Sequence, residues 1–342
     1  MSANNPGVNR RVVLAARPRG LPKPSDFRVE EAPIPRPQDG EVLLKIQYLS
    51  LDPYMRGRMN DGPSYATPTA IGEEMEGGTV ATVLESRSAA YKPGDIVLSY
   101  SGWQTHAVAK ADQLRKLDPK AAPVTTALGV LGMPGFTAYV GLRNIGKPKP
   151  GETVVVAAAS GPVGAAVGQI ASIGGARAVG IAGGKEKCTF IRDELGFDAV
   201  IDHRAPDLAA QLAKACPKGI DVYFENVGGH VWDAVFPLLN NFARIPVCGL
   251  IAQYNDLPPF PGPDRFPVVM REVLSKRFHI QGFIQFDFAE QRPDFYRDMA
   301  QWIRDGKVKY REDFIDGLEN APEGLIGLLQ GKNFGKLIVR VA

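Results

Sequence analysis

VVVAAASGPVGAAVGQIASIGGARAVGIAGG, residues 154–184, decides the fold. It reads as a buried strand, a glycine turn, a helix of small residues and a second strand. A dinucleotide site needs glycine at three places in such a turn. The first permits the tight bend, the second lets the backbone approach the pyrophosphate, and the third lets the helix pack closely on the strand. The series here is Ala159-x-Gly161-x-x-Gly164. Alanine, the mildest replacement for glycine, stands first, and the other two places are kept. A glycine turn alone is a weak signal. The strand before it, the helix after it and the return strand at 177–182 are the context the motif requires. The helix start presents unpaired N–H groups and a positive dipole end to phosphate.

The end of that second strand separates the two nicotinamide dinucleotides. Sites for the unphosphorylated cofactor place an acid there for the ribose 2′-hydroxyl. Here the run is Ile181-Ala182-Gly183-Gly184-Lys185-Glu186-Lys187. Glycines stand where the acid belongs, and Lys187 is available to a 2′-phosphate. The plainer reading makes Lys185 and Lys187 solvated residues of a helix start. The missing acid favours NADP.

Downstream, DAVID, IDVYFENVG and ARIPVCGLI read as short apolar strands. EKCTFIRDELG, APDLAAQLAKAC and HVWDAVFPLLN read as the helices between them. Strands alternating with helices imply a parallel, doubly wound α/β sheet. Upstream, EVLLKIQYLSL (41–51), GTVATVLES (78–86) and DIVLSYSGWQTHAVAK (95–110) are β-type runs broken by turns. They predict a partly open β-barrel. A Pro-rich loop, NDLPPFPGPDRFP, precedes a helix at 267–277 and the strand HIQGFIQ; the helix beginning RPDFYRDM follows. The terminal GKLIVRV returns to β pattern and most simply rejoins the N-terminal β region. The expected domains are 1–126 with 304–342 for the β unit and 127–303 for the dinucleotide unit.

The chain has 342 residues, 40 basic and 37 acidic side chains, and a net charge of +3. That balance makes no electrostatic case for nucleic acid or an anionic membrane. No apolar run reaches the roughly 20 residues that span a bilayer, and MSANNPGVNRR lacks an apolar signal core. The expected location is the cytoplasm. Cys188, Cys216 and Cys248 are scattered, as are His106, His203, His230 and His279. No zinc-ligand spacing exists among them, so no metal is expected.

Several stretches together carry a resemblance. They are LSLDPYMRGRM (49–59), GMPGFTAY (132–139), AASGPVG (158–164), AGGKEK (182–187), ENVGG (225–229), IPVCGLIAQYN (245–255) and GKNFGK (331–336). Across essentially its whole length the chain resembles the medium-chain dehydrogenase/reductase superfamily. Within it, the chain is similar to the zinc-independent leukotriene B4 dehydrogenase/prostaglandin reductase group. The zinc members' Cys/His/Cys set is absent, and IGEEMEGG (71–78) lacks their histidine.

The resemblance implies a Rossmann unit joined to a GroES-like unit. It implies NADPH-dependent reduction of the C=C bond of α,β-unsaturated ketones, with hydride going to the β-carbon and charge building on the carbonyl oxygen. It assigns Gly161, Pro162, Val163 and Gly164 to the pyrophosphate, and Gly184 and Lys187 to the 2′-phosphate region. His203 falls where relatives carry a tyrosine. Asn226, Cys248 and Gly249 fall along the ribose path. The backbone of Phe283, Ile284 and Gln285 is expected at the carboxamide, and Asn333 over the cofactor. Tyr254 and Tyr54 are the candidate catalytic donors, Tyr254 also touching cofactor. A homodimer built through the edge strands of the dinucleotide units is expected.

Plainer roles compete with some of these. Tyr54 and Arg56 could serve packing or a structural ion pair. Trp103 could cap an aromatic substrate or fill the barrel mouth. Cys248 reads as a small apolar strand-end residue rather than a nucleophile. His106 has no partner in sequence to make it a general acid. An NADPH:quinone reductase, a metal-free alcohol dehydrogenase and a non-catalytic nucleotide-binding protein share the same fold signals.

Overall fold

Residues Thr153–Ala157 form β1, five residues that are all buried. A strand buried on both faces must be apolar throughout, which is why it reads as an unbroken run. Its side chains alternate between two cores. Val154 and Val156 join one cluster with Val167, Phe224 and Phe295. Val155 and Ala157 join another with Ile181, Tyr223 and Ile245. In the computed structural model, which describes residues 7–256 and 262–341, β1 is central to a six-stranded parallel sheet. The others are β2 (Arg177–Ala182), β3 (Ala199–Asp202), β4 (Ile220–Phe224), β5 (Leu239–Val247) and β6 (His279–Gly282). Their spatial order is β3-β2-β1-β4-β5-β6. The order reverses between β1 and β4, and ligands of such sheets bind beyond the strand ends at that switch point. The connecting helices include α1 (Pro162–Ile173), α2 (Lys185–Asp193), α3 (Leu208–Ala215) and α4 (Gly229–Val235).

The chain divides into two units, Gly129–Arg311 around this sheet and Met1–Leu128 with Glu312–Ala342 around a second one. The second sheet has seven strands, and Glu41–Ser50 is its spine. That strand pairs antiparallel with Lys336–Arg340, Thr79–Ser86 and His106–Lys110. Register shifts between Leu43 and Leu44 and between Ile46 and Tyr48 interrupt its ladder with Thr79–Ser86, as bulges do. The terminal strand rejoins this unit as its sequence implied. Val8–Leu14 and Phe27–Pro33 make a separate two-stranded ribbon.

Three details depart from the reading of the sequence. The run 95–110 is two strands, Ile96–Ser99 and His106–Lys110. The chain turns between them at Gly102 (φ +72°), where a Cβ would lie 2.6 Å from the Met75 carbonyl oxygen. The segment after β6 and its following helix holds a strand, Glu312–Asp316, and a helix, Ala321–Leu329. Two glycines weaken that helix's signature. Packing demands one of them, because a Cβ on Gly324 would meet Ile315 at 2.6 Å and Leu51 at 2.7 Å. The strand expected from ARIPVCGLI stops at Val247. Of the Pro-rich loop, residues 257–261 lie outside the described residues.

Candidate functional site

The glycine turn follows β1 directly. Ala158 adopts the left-handed conformation (φ +53°), at a cost of about 1–2 kcal/mol for a residue with a Cβ. The strain therefore falls one residue before Ala159, the alanine at the first fingerprint place. Ala159 is fully buried, and its N–H bonds the Ile181 carbonyl at 3.0 Å. Its methyl is accommodated by Gly180 on β2, where a Cβ would lie 3.0 Å from it. A glycine on the neighbouring strand thus makes room for the missing glycine of the turn. Gly161 is the N-cap of α1 and Pro162 opens the helix, a place that has no use for the missing N–H. A Cβ on Gly164 would stand 2.4 Å from the Ala158 oxygen and 2.8 Å from the Ala159 Cα. That is the close helix-on-strand contact the third glycine exists to permit.

Beyond β2, Gly183 and Gly184 face a basic cluster. A Cβ on Gly183 would lie 2.6 Å from His203 Nε2 and 3.1 Å from Arg204 Nε; one on Gly184 would lie 3.4 Å from an Arg204 Nη. Asp202, at the end of β3, accepts the Gly184 N–H at 3.0 Å and the Arg204 N–H at 2.9 Å. Burial raises its pKa, but these two donors outweigh burial and hold it below the usual range. His203 and His230 are bonded, Nδ1 to Nε2, at 3.2 Å. Burial, then His230, Arg204 and Lys187, lower the His203 pKa, with Asp202 opposing. The space beside the two glycines is thus lined by cations and imidazoles. Asp202 beside it is engaged by backbone donors.

Contacts run on from there along the strand ends. Asn226 Nδ2 donates to the Ala157 carbonyl at 2.9 Å, tying the end of β4 to that of β1. Cys248 and Gly249 N–H groups both reach the Glu225 carbonyl, at 2.9 and 3.2 Å. Tyr254 is half-buried over Gly249; its hydroxyl accepts the Leu250 N–H at 3.3 Å. A Cβ on Gly249 would come within 2.8 Å of that hydroxyl. Glu225 is 1 % exposed. Its Oε1 takes donors from Tyr223, Val227 and Gly228, and its Oε2 has no partner among the described residues. Burial raises its pKa against those donors. Burial, with Glu225 second, pushes the Cys248 thiol up to about 12. A thiol so protonated is a poor nucleophile.

At the other end of the sheet, Phe283 is buried against Phe224, ring centroids 6.1 Å apart. Both backbone groups of Ile284 are engaged by Asp287, its N–H donating to the carboxylate at 3.2 Å and its carbonyl accepting the Asp287 N–H at 3.0 Å. The Gln285 side chain is buried and accepts from Arg292 at 2.7 Å. Asn333, in the unit of the antiparallel sheet, donates to the Gly335 carbonyl at 2.9 Å.

Tyr54 also belongs to that unit. It opens the short helix Tyr54–Arg58, with the Arg58 guanidinium 5.5 Å from its ring. Burial, then Asp52, Tyr100 and Glu76, raise its hydroxyl pKa well above the ordinary value, so it is a donor at any neutral pH. Asp52 is buried and pairs with the buried Lys336 at 2.8 Å. Two other candidates are structural. Arg56 is fully buried, bonding Asn60 and the Gly20 carbonyl at 2.7 and 3.0 Å. Trp103 is fully buried and stacked on Phe27, centroids 5.8 Å apart, so it fills the core of its unit. His106 bonds Thr105 at 3.1 Å, and burial lowers its pKa. Among the described residues no group of three His, Cys, Asp or Glu could hold a metal ion. Nor is any helix long and apolar enough to cross a membrane.

Residues 10–117 match the family model described as the N-terminal domain of oxidoreductase, and residues 162–305 match the zinc-binding dehydrogenase model. The chain is 58 % identical to NADPH-dependent curcumin reductase of Escherichia coli, over 98 % of this chain and 97 % of that one. It is 41 % identical to a 2-alkenal reductase (NADP⁺-dependent) of Nicotiana tabacum, over 98 % of each. The crystal structure of CurA in complex with NADPH from Vibrio vulnificus superposes with a TM-score of 0.94 at 54 % identity, covering 97 % of this chain and 99 % of that one. The class defined by the sheet and its glycine turn is that of dinucleotide-dependent oxidoreductases. More narrowly, the chain belongs to the medium-chain dehydrogenase/reductase family, in its prostaglandin reductase group.

Four site residues escaped the reading of the sequence: Asp202, Arg204, Glu225 and His230. Arg204 follows His203 directly, and His230 follows ENVGG. Adjacency to a motif was their only sequence signal, because β3 and α4 are brought together by the sheet and not by the chain.

Proposed function

We propose that this chain is an NADPH-dependent reductase that saturates the carbon–carbon double bond conjugated to a ketone. The observation that carries it is the glycine turn whose following strand ends in Gly183-Gly184 beside Lys187, His203 and Arg204. A dianionic 2′-phosphate fits that surround, since the nearby Asp202 is engaged by backbone N–H groups. The turn Gly161–Gly164 takes the pyrophosphate, and Gly161, where a Cβ would meet only the Ala158 oxygen at 3.3 Å, leaves its approach open. Asn226, Cys248 and Gly249 line the ribose side, and the Phe283–Gln285 segment takes the carboxamide.

When bound, NADPH supplies the hydride delivered to the substrate β-carbon. The protein's own part is to position the substrate and to place a donor where negative charge gathers on the carbonyl oxygen. Tyr254 is assigned that donor role. Its hydroxyl, which accepts the Leu250 N–H, stands over Gly249 at the strand end. Tyr54 is the second candidate, kept protonated by its surroundings. No nucleophile is required, in keeping with the raised Cys248 thiol.

A second copy of the chain is the proposed partner. The edge strand β6 has all four residues exposed. Ile280 on it is exposed, as are Phe266 and Leu274 on the preceding helix Phe266–Lys276. An open apolar edge is a template for pairing with another strand. A sedimentation experiment reading a monomer at micromolar concentration would remove this part. The function itself is tested with a panel of enones, enals, quinones and secondary alcohols, with product identification. Saturated ketone with the carbonyl intact is expected. Turnover of quinones or alcohols with no reaction of enones would overturn it.

A further inference from the structure

We propose that His203 and His230 act as a proton-sharing pair that couples binding of NADPH, and not of NADH, to uptake of a proton. The proposal rests on the reading that the 2′-phosphate lies beside Gly183 and Gly184. The two rings come from different elements, the turn after β3 and the start of α4, and meet at 3.2 Å through Nδ1 of His203 and Nε2 of His230. A neutral imidazole has one donor and one acceptor nitrogen. The bond therefore survives with both rings neutral or with one proton added. A second added proton would set N–H against N–H and break it. The pair is built to take up one charge.

The other nitrogen of His203, Nε2, faces Gly183, 2.6 Å from where a side chain there would begin. When His203 carries the extra proton, Nδ1–H donates to His230 and Nε2–H points at the expected phosphate space. The neighbouring charges are Lys187 on α2, Arg204 next in the chain, and Asp202 at the end of β3. Without a bound anion burial discourages that proton, and His230, Arg204 and Lys187 do so further, which favours the neutral ring. Asp202 offsets this only in part, since its carboxylate also serves the Gly184 and Arg204 N–H groups. A phosphate dianion reverses the balance. A tyrosine at this place would donate a hydrogen bond without titrating near neutrality. Here recognition of the phosphate is tied to pH.

The test is calorimetric titration of NADPH and of NADH at pH 7.5 in two buffers of different ionisation enthalpy, joined to nicotinamide-fluorescence titrations from pH 6.5 to 8.5. The pair predicts net proton uptake with NADPH and none with NADH. It predicts that the NADPH dissociation constant tightens about 3- to 10-fold from pH 8.5 to 6.5 while that of NADH stays level. The phosphate's own titration, near pH 6, gives the opposite sign, because cations holding the dianion drive protons off it. His203→Tyr should bind NADPH well and lose the uptake; His230→Gln, a change at an exposed residue, should diminish it. Release of protons, no exchange in the wild type, or unchanged uptake in His203→Tyr overturns the proposal. Lys187→Ala separates it from the reading beneath. If that variant leaves the NADPH/NADH affinity ratio intact, the phosphate lies elsewhere and both fall. If the ratio collapses while wild-type uptake is absent, the histidine pair alone is refuted.

Discussion

Replacing Lys336 should destabilise the unit of the antiparallel sheet by about 3–5 kcal/mol, the usual consequence of stranding a buried charge. Its side chain is 3 % exposed and that of Asp52 is 6 % exposed. The ammonium donates to Asp52 Oδ1 at 2.8 Å and to the Leu51 carbonyl at 2.6 Å. Lys336→Met leaves the Asp52 carboxylate with the Ser50 hydroxyl as its one remaining side-chain donor. Asp52→Asn leaves the ammonium with two neutral acceptors and should cost somewhat less. The double variant Asp52→Asn/Lys336→Met removes both charges, and replacing a buried pair by neutral groups is often close to neutral. It should recover about 2–3 kcal/mol relative to the sum of the single variants, a coupling typical of groups in contact. With a urea dependence of about 2 kcal/mol per molar, a loss of about 3 kcal/mol lowers the midpoint by ~1.5 M. The chain's tryptophans are Trp103, Trp232 and Trp302. In a Trp232→Phe/Trp302→Phe background, fluorescence follows this unit through Trp103 alone. Additive midpoints across the cycle would show that Lys336 only fills space and would refute the reasoning.

Lys187→Ala should raise the KM for NADPH by the equivalent of about 1.5–3 kcal/mol, the worth of a charge-assisted bond. The KM for NADH should change little, and equal effects on both cofactors would reject the assignment. Tyr254→Phe should lower kcat about 10- to 100-fold, below the largest losses for oxyanion donors, and leave NADPH affinity alone; an unchanged kcat would return Tyr254 to packing. Glu225 has its folded pKa raised, so its contribution to stability is complete below the unfolded value of about 4.3 and is lost as pH rises through the folded one. Glu225→Gln should flatten the stability profile above about pH 4, and a curve parallel to wild type would count against the buried acid. Exhaustive chelation should leave activity unchanged, whereas activity lost and restored by added zinc would expose a metal requirement.

The strand, turn, helix and strand of residues 154–184 were legible because their signals are local. Period, small residues and a proline at a helix start act within a few residues of one another. The parallel sheet followed from the alternation of strands and helices, and the lack of a zinc-ligand pattern from scattered cysteines and histidines. What lies between distant segments was not legible. Ala159 is tolerated because Gly180 of the next strand makes room for its methyl. The glycine-bearing helix Ala321–Leu329 forms because Gly324 lets it lie against Ile315 and Leu51. Trp103, open to two readings in sequence, is settled by its stacking on Phe27. The pairing of His203 with His230 spans 27 positions and exists only because β3 ends and α4 begins at the same rim of the sheet. Sequence by itself determined the elements and the class of ligand, since backbone propensity and a phosphate turn are short-range properties. The tertiary structure alone decided which side chains face one another, since that depends on strand order and packing, to which no local window is sensitive.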